Sequence, residues 1–177
     1  MSTAKFRAWR DRGVKMKCQT AAPGKGCPMG GEGATEHCRH RVIIAVGSNI
    51  EPEKNIRRAR EILEKEQTLL GASRVIRTAP IGRIDQDDFR NGAFYIETDM
   101  GRPELKSYLK GVEDRLGRVR GIVGPHPMDL DITVWDGRIV HEDFYRYEYN
   151  RLPVAEIVEK FGLALTDEGE DRRELPE

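Results

Sequence analysis

The sequence predicts an α+β domain of ferredoxin-like βαββαβ order, with its helices on one face of the sheet and a short C-terminal helix. Three observations lead there. Apolar or alternating stretches of strand length recur four times between residues 41 and 135. Two stretches with helical spacing fall after the first and third of them. Taken in order they read β-α-β-β-α-β, the split βαβ arrangement.

RVIIAVGSN supplies the first strand, Val42 to Val46, closing in a turn at Gly47-Ser48-Asn49. EPEKNIRRAREILEKE follows as a helix. Pro52 suits its first turn, Glu51 and Glu53 favour its positive end, and Ile56, Ala59, Ile62 and Leu63 form its apolar stripe. SRVIRTAP is the second strand and PIGRIDQDDFR a polar loop. NGAFYIETDM alternates as the third strand, expected to pair antiparallel with the second. RPELKSYLKGVEDRLG places Leu105, Tyr108, Leu109, Val112 and Leu116 on one helical face, with Pro103 in the first turn and Gly117 at the C′ position. In GPHPMDLDITVWDG, Met128, Leu130, Ile132 and Val134 form the apolar face of a fourth strand. A Tyr-rich segment without clear pattern leads to PVAEIVEKFG, the short last helix.

Length and composition fit one domain with tails: 177 residues, 34% charged and 38% hydrophobic, with no net charge. A neutral chain has no bulk attraction for nucleic acid, and no apolar run approaches a membrane span. No apolar leader segment stands at the N-terminus, so a cytoplasmic location is expected. Residues 1–40 carry eight Lys/Arg against three acids and read as a basic arm. The domain is expected over 41–165, and 166–177, with six acids and two arginines, reads as an acidic tail. Within the arm, Cys18, Cys27, Cys38 and His40 have the donor types for a tetrahedral Zn²⁺ site, with His37 nearby. Their spacing, C-x8-C-x10-C-x-H, matches no compact knuckle, and a flexible arm is the alternative.

Chemistry gathers on the fourth strand. Asp129 and Asp131 share its polar face, and side chains two apart on a strand lie roughly 6.5–7 Å apart and point the same way. Like charges so placed make each other harder to ionise. Either the face is simply solvated, or it holds a hard cation such as Mg²⁺, which shares its shell with phosphates. Arg118 and Arg120 nearby suit phosphate, and Asn91 with Phe89 suits a flat heterocycle. Glu113 and His126 complete the set. Each also has a plain structural use: a helix end for Arg118, a solvated helix face for Glu113, a turn for Asn91, core for Phe89, loop order for His126.

AVGSN, RTAPIG-x-x-DQ-x-x-F-x-N and VEDRLGRVR-x3-GP-x-x-MDLDI stand in an order that resembles the 6-hydroxymethyl-7,8-dihydropterin pyrophosphokinase family, from about Val42 to Ile157. The resemblance implies transfer of a diphosphoryl unit from ATP to the pterin hydroxymethyl group, with release of AMP, in folate biosynthesis. It implies two Mg²⁺ ions on Asp129 and Asp131. Pterin contacts would fall on Thr78, Ala79, Ile81, Phe89 and Asn91, and nucleotide contacts on Glu113, Arg118, Arg120 and Ile132. Phosphate-side catalytic positions would be Arg118, Arg120 and His126. Pterin and ATP are then the partners, with neither nucleic acid nor membrane. The chain departs from the family's GPR pattern, reading GPH at His126. RIVHEDFYRYEYNRLP is also shorter than the family's segment with its Pro-His pair, arginine and second stacking aromatic; Arg146, Tyr147 and Tyr149 are the candidates to stand in. The alternatives are a non-catalytic pterin- or nucleotide-binding protein on the same scaffold, or a phosphotransferase for another heterocyclic alcohol.

Overall fold

The computed structural model describes residues 39–81, 86–119 and 127–167. Its centre is β1 (His40–Ser48), whose Val42, Ile43 and Ile44 are all fully buried. A strand buried on both faces needs a layer on each side, and both are present. The elements that follow are α1 (Pro52–Glu66), β2 (Thr68–Ala72), β3 (Ile76–Thr78), β4 (Phe89–Thr98), α2 (Arg102–Arg115), β5 (Asp129–Trp135), β6 (Arg138–Ile139), α3 (Asp143–Arg146), α4 (Glu148–Phe161) and β7 (Thr166–Asp167). The sheet runs β2-β4-β1-β5-β6-β7, with β3 also paired to β4. The four long positions of the ferredoxin-like order are antiparallel throughout: β1 pairs β4 on one side and β5 on the other, and β2 and β3 both pair β4.

One core lies between the sheet and helices α1 and α2. Val42, Ile44 and Val46 of β1 meet Ile56, Ala59 and Leu63 of α1 and Leu105, Leu109 and Val112 of α2. Burying each such aliphatic side chain is worth about 1.5–3 kcal/mol relative to leaving it exposed. A second core lies on the opposite face, where Ile43, Tyr95 and Val134 pack under Phe144, Val154 and Ile157 of α3 and α4. The C-terminal helices therefore cover part of the sheet face opposite α1 and α2. What stays open is the end of that face nearest Gly47.

Three local features differ from the periodic reading. Val134 belongs to the second core, not to the face of Leu130 and Ile132. The cause is a β-bulge: Ile43 pairs Val134 and Ile44 pairs Ile132, so Thr133 is the extra residue and the alternation inverts past it. TLLGA forms β2 directly after α1, where no strand was expected; it too carries a register shift against β4. And α4 starts at Glu148, with Pro153 inside it rather than in its first turn.

Gly117 ends α2 as expected, at φ +91. Its N–H bonds the Asp114 carbonyl and the N–H of Arg118 bonds the Glu113 carbonyl, each at 3.0 Å, the paired pattern of a Schellman motif. This turn aims Arg118 at β5. Thr166 and Asp167, counted with the acidic tail in the sequence, pair in parallel with Arg138 and Ile139. Among the described residues no helix is long and apolar enough to cross a membrane. Cys18, Cys27 and Cys38 of the candidate zinc set lie outside the described residues. His40 sits at the far end of β1, its Nδ1 2.7 Å from Asp136 Oδ2 and its ring 4.6 Å from that of Trp135.

Candidate active site

Strand register builds the site. On the face away from α1 and α2, Asn91 of β4 stands across from Gly47 of β1, and Gly47 across from Asp129 of β5. The next row is Ala93, Ala45 and Asp131. Small residues thus form the floor between an amide on one side and two carboxylates on the other. Above this floor is a cleft of about 530 Å³, in the size range of small-molecule sites. Glycine at 47 leaves room for the Asn91 amide, since a Cβ at this position would come 2.9 Å from Asn91 Oδ1.

The amide wall is built by β3 and β4. Thr78 pairs Phe89 through the backbone, and Asn91 Nδ2 donates to Thr78 Oγ1 at 2.7 Å. That bond fixes which way the Asn91 amide faces; Asn91 itself is 5% exposed. Thr78, Ala79, Ile81, Phe89 and Asn91 all border the cleft, with Ile81 at its exposed rim.

The carboxylate wall is built by β5 and the end of α2. Arg118 Nη1 lies 2.9 Å from Asp129 Oδ1 and donates to the Met128 carbonyl at 2.9 Å. Arg118 Nε is 3.8 Å from Glu113 Oε2. Glu113 is buried in α2, not solvated, and its Oε1 accepts the N–H of Leu130 at 2.9 Å. Glu113 therefore ties helix to strand behind the cleft. Ile132 likewise faces the α1 and α2 core. Neither Glu113, Arg118 nor Ile132 borders the cleft itself, whereas Asp129 and Asp131 do. At the end of β1, the Ser48 hydroxyl donates to the Pro127 carbonyl at 2.6 Å and anchors the entry to β5. Arg120 and His126 lie outside the described residues.

Burial raises the Asp131 carboxyl above its ordinary range, and the Asp129 charge raises it further. His141 partly offsets this: its Nε2 is 3.9 Å from Asp131 Oδ1, while its Nδ1 accepts the Asp143 N–H at 3.3 Å. Two hard carboxylates in tension, facing a cleft, are a donor set that suits a hard divalent cation. Among the described residues no group of three or more His, Cys, Asp or Glu is placed to hold a metal. A cation on this pair would complete its shell with waters and ligand oxygens.

Three cleft residues come from outside the predicted motifs, Asp143, Tyr149 and Asn150, while Gln86 is the glutamine of the DQ pair. Tyr149 was a stand-in candidate, and it alone of Arg146, Tyr147 and Tyr149 borders the cleft. Its ring stacks on Tyr147 at 5.1 Å. Burial, then the nearby Asp143 charge, pushes its phenol up to about 12. Arg146 instead pairs with Glu142 at 2.7 Å.

Residues 43–159 match the family described as 7,8-dihydro-6-hydroxymethylpterin-pyrophosphokinase. The chain belongs to this family. It is 34% identical over 137 residues to the mitochondrial folate synthesis bifunctional protein of Arabidopsis thaliana, covering 73% of this chain and 25% of that protein. It is 34% identical over 104 residues to the 2-amino-4-hydroxy-6-hydroxymethyldihydropteridine pyrophosphokinase of Pseudomonas aeruginosa, covering 56% of this chain and 64% of that one. The corresponding protein of Bacillus subtilis is 32% identical over 129 residues, 66% of this chain and 77% of its own. The chain thus spans under two thirds of the first two relatives. The pyrophosphokinase match takes in the whole cleft, from β1 to α4.

Proposed function

We propose that the protein transfers the β,γ-diphosphoryl unit of ATP to the hydroxymethyl group of 6-hydroxymethyl-7,8-dihydropterin and releases AMP. The observation that carries this reading is one cleft with a buried, oriented asparagine and an aromatic on one side and two carboxylates on the other. A family match across that cleft supports it.

The pterin alcohol oxygen attacks the β-phosphorus of ATP. The new O–P bond forms as the bond from the β-phosphorus to the oxygen bridging to the α-phosphorus breaks. AMP leaves with that oxygen, and the alcohol proton is lost to solvent. No covalent enzyme intermediate is needed; catalysis is positioning and charge balance. Asn91, held by Thr78, reads the polar edge of the pterin, with Phe89 beside it. Tyr149 stays protonated at neutral pH and offers a neutral aromatic face. Asp129 and Asp131 are the residues that would hold Mg²⁺, which when bound supplies positive charge to the phosphate oxygens. Arg118 fixes Asp129, and Glu113 fixes Arg118 and β5, so their part on the nucleotide side is to hold the carboxylate wall. Arg120 and His126 are assigned to the phosphates by the resemblance.

Incubation with Mg²⁺, ATP and 6-hydroxymethyl-7,8-dihydropterin tests the proposal. AMP should form with the wild type and not with the Asp129→Ala, Asp131→Ala double variant. Pterin binding without AMP would point to a non-catalytic binding protein on the same scaffold.

A further inference from the structure

Asn150 is a buried polar residue that the proposed reaction leaves without a task. It lies in the first turn of α4, 3% exposed, and borders the cleft beside Tyr149. Its Oδ1 is buried and has no hydrogen-bond partner among the described residues. Buried polar atoms are nearly always paired, because an unpaired one gives up its water without return. A leucine has the same branched side-chain skeleton and would fill the place without that cost. Other buried asparagines are used by the fold: Asn91 donates to Thr78, and Asn55 donates to the Ile50 carbonyl at 2.7 Å.

We infer that Asn150 is a specificity-determining residue, whose amide pairs with the hydrogen-bonding edge of the bound heterocycle. Asn91 reads the ligand from the sheet side of the cleft, and Asn150 reads it from the helix side. A carboxamide offers an acceptor and donors side by side. The matching ligand class is a flat ring system with a ring N–H or exocyclic amine next to a carbonyl or ring nitrogen, as a pteridine has. A ligand lacking that edge would leave Oδ1 unpaired in a dry site, which is the setting in which polar groups discriminate most strongly. This inference rests on the pterin reading and adds a residue to it.

Equilibrium titration of the full chain with 6-hydroxymethyl-7,8-dihydropterin tests it, with melting temperatures recorded for each protein. Asn150→Leu should melt at or above the wild-type temperature, since it removes an unpaired polar atom. Asn150→Leu and Asn150→Ala should both bind the pterin at least about tenfold more weakly, the loss of one good hydrogen bond. Asn150→Ala leaves room for the ligand, so its weakened binding is not steric. Affinity for Mg²⁺-ATP should stay within about twofold in both, a split that general damage to the fold would not give. A folded Asn150→Ala protein that binds pterin as tightly as a binding-competent wild type would overturn this inference alone. A wild type that does not bind the pterin would overturn the proposed function together with it.

Discussion

Asp131 is held where burial and its neighbour both oppose its charge. A carboxyl raised above its ordinary value destabilises the native state as pH rises through that value, because the unfolded chain ionises first. Asp131→Asn removes the penalty. The variant should therefore melt above the wild type at pH 7, with a smaller difference at pH 4, and Mg²⁺ should raise the melting temperature of the wild type alone. Its AMP formation should fall by about two orders of magnitude or more. Melting curves at both pH values and a rate assay check this trade of stability for function. Gly47→Ala should act on the other wall. Its Cβ would press on Asn91 Oδ1, so Asn91 must turn from Thr78, and pterin affinity should drop about tenfold in a binding titration. The placement of Asp129, Asp131, Phe89 and Asn91 along the cleft was legible because each sits in a strand or strand mouth with a clear period. Asp143 and Asn150 were not, because residues 140–150 carry no period and tertiary packing alone brings them to the cleft.

Helix α2 and strand β5 act as one unit at the site. The Schellman turn at Gly117 delivers Arg118 to Asp129, and Glu113 accepts the Leu130 N–H from behind. Glu113→Ala would leave that N–H unpaired and remove the carboxylate beside Arg118 Nε, so the protein should lose about 2–3 kcal/mol of stability. Urea denaturation with an unchanged m-value checks it. Glu113→Gln keeps an acceptor and should lose less. The element order and the Gly117 terminus could be read from sequence because apolar spacing and a positive-φ glycine each have a local cause. The bulge at Thr133 could not: MDLDITVW alternates perfectly, and only the pairing with β1 shows that Val134 and Ile132 face opposite layers. The true start of α4 was hidden by Pro153, which reads as a first-turn residue although the helix runs through it. Strand β2 was hidden because TLLGA follows α1 with no glycine or proline between them.

At the scale of the molecule, β1 joins two cores. Val42, Ile44 and Val46 belong to one and Ile43 to the other, and β4 and β5 divide their side chains between the two layers in the same way. Both layers should unfold together. Ile43→Ala should cost roughly 3–4 kcal/mol, and circular dichroism and hydrogen exchange in both layers should shift in step; a shift confined to α4 would show separate units. The cleft follows from the same architecture, since α3 and α4 cover the second face only up to the rows of Ala45 and Gly47. The central claim is that this uncovered end brings an alcohol to the β-phosphorus of ATP. Phosphorus NMR of the reaction with Mg²⁺, ATP and 6-hydroxymethyl-7,8-dihydropterin tests it most directly. AMP and a pterin diphosphate ester in equal amounts are the expected result; ADP with a monophosphate ester, or unchanged ATP, would contradict it.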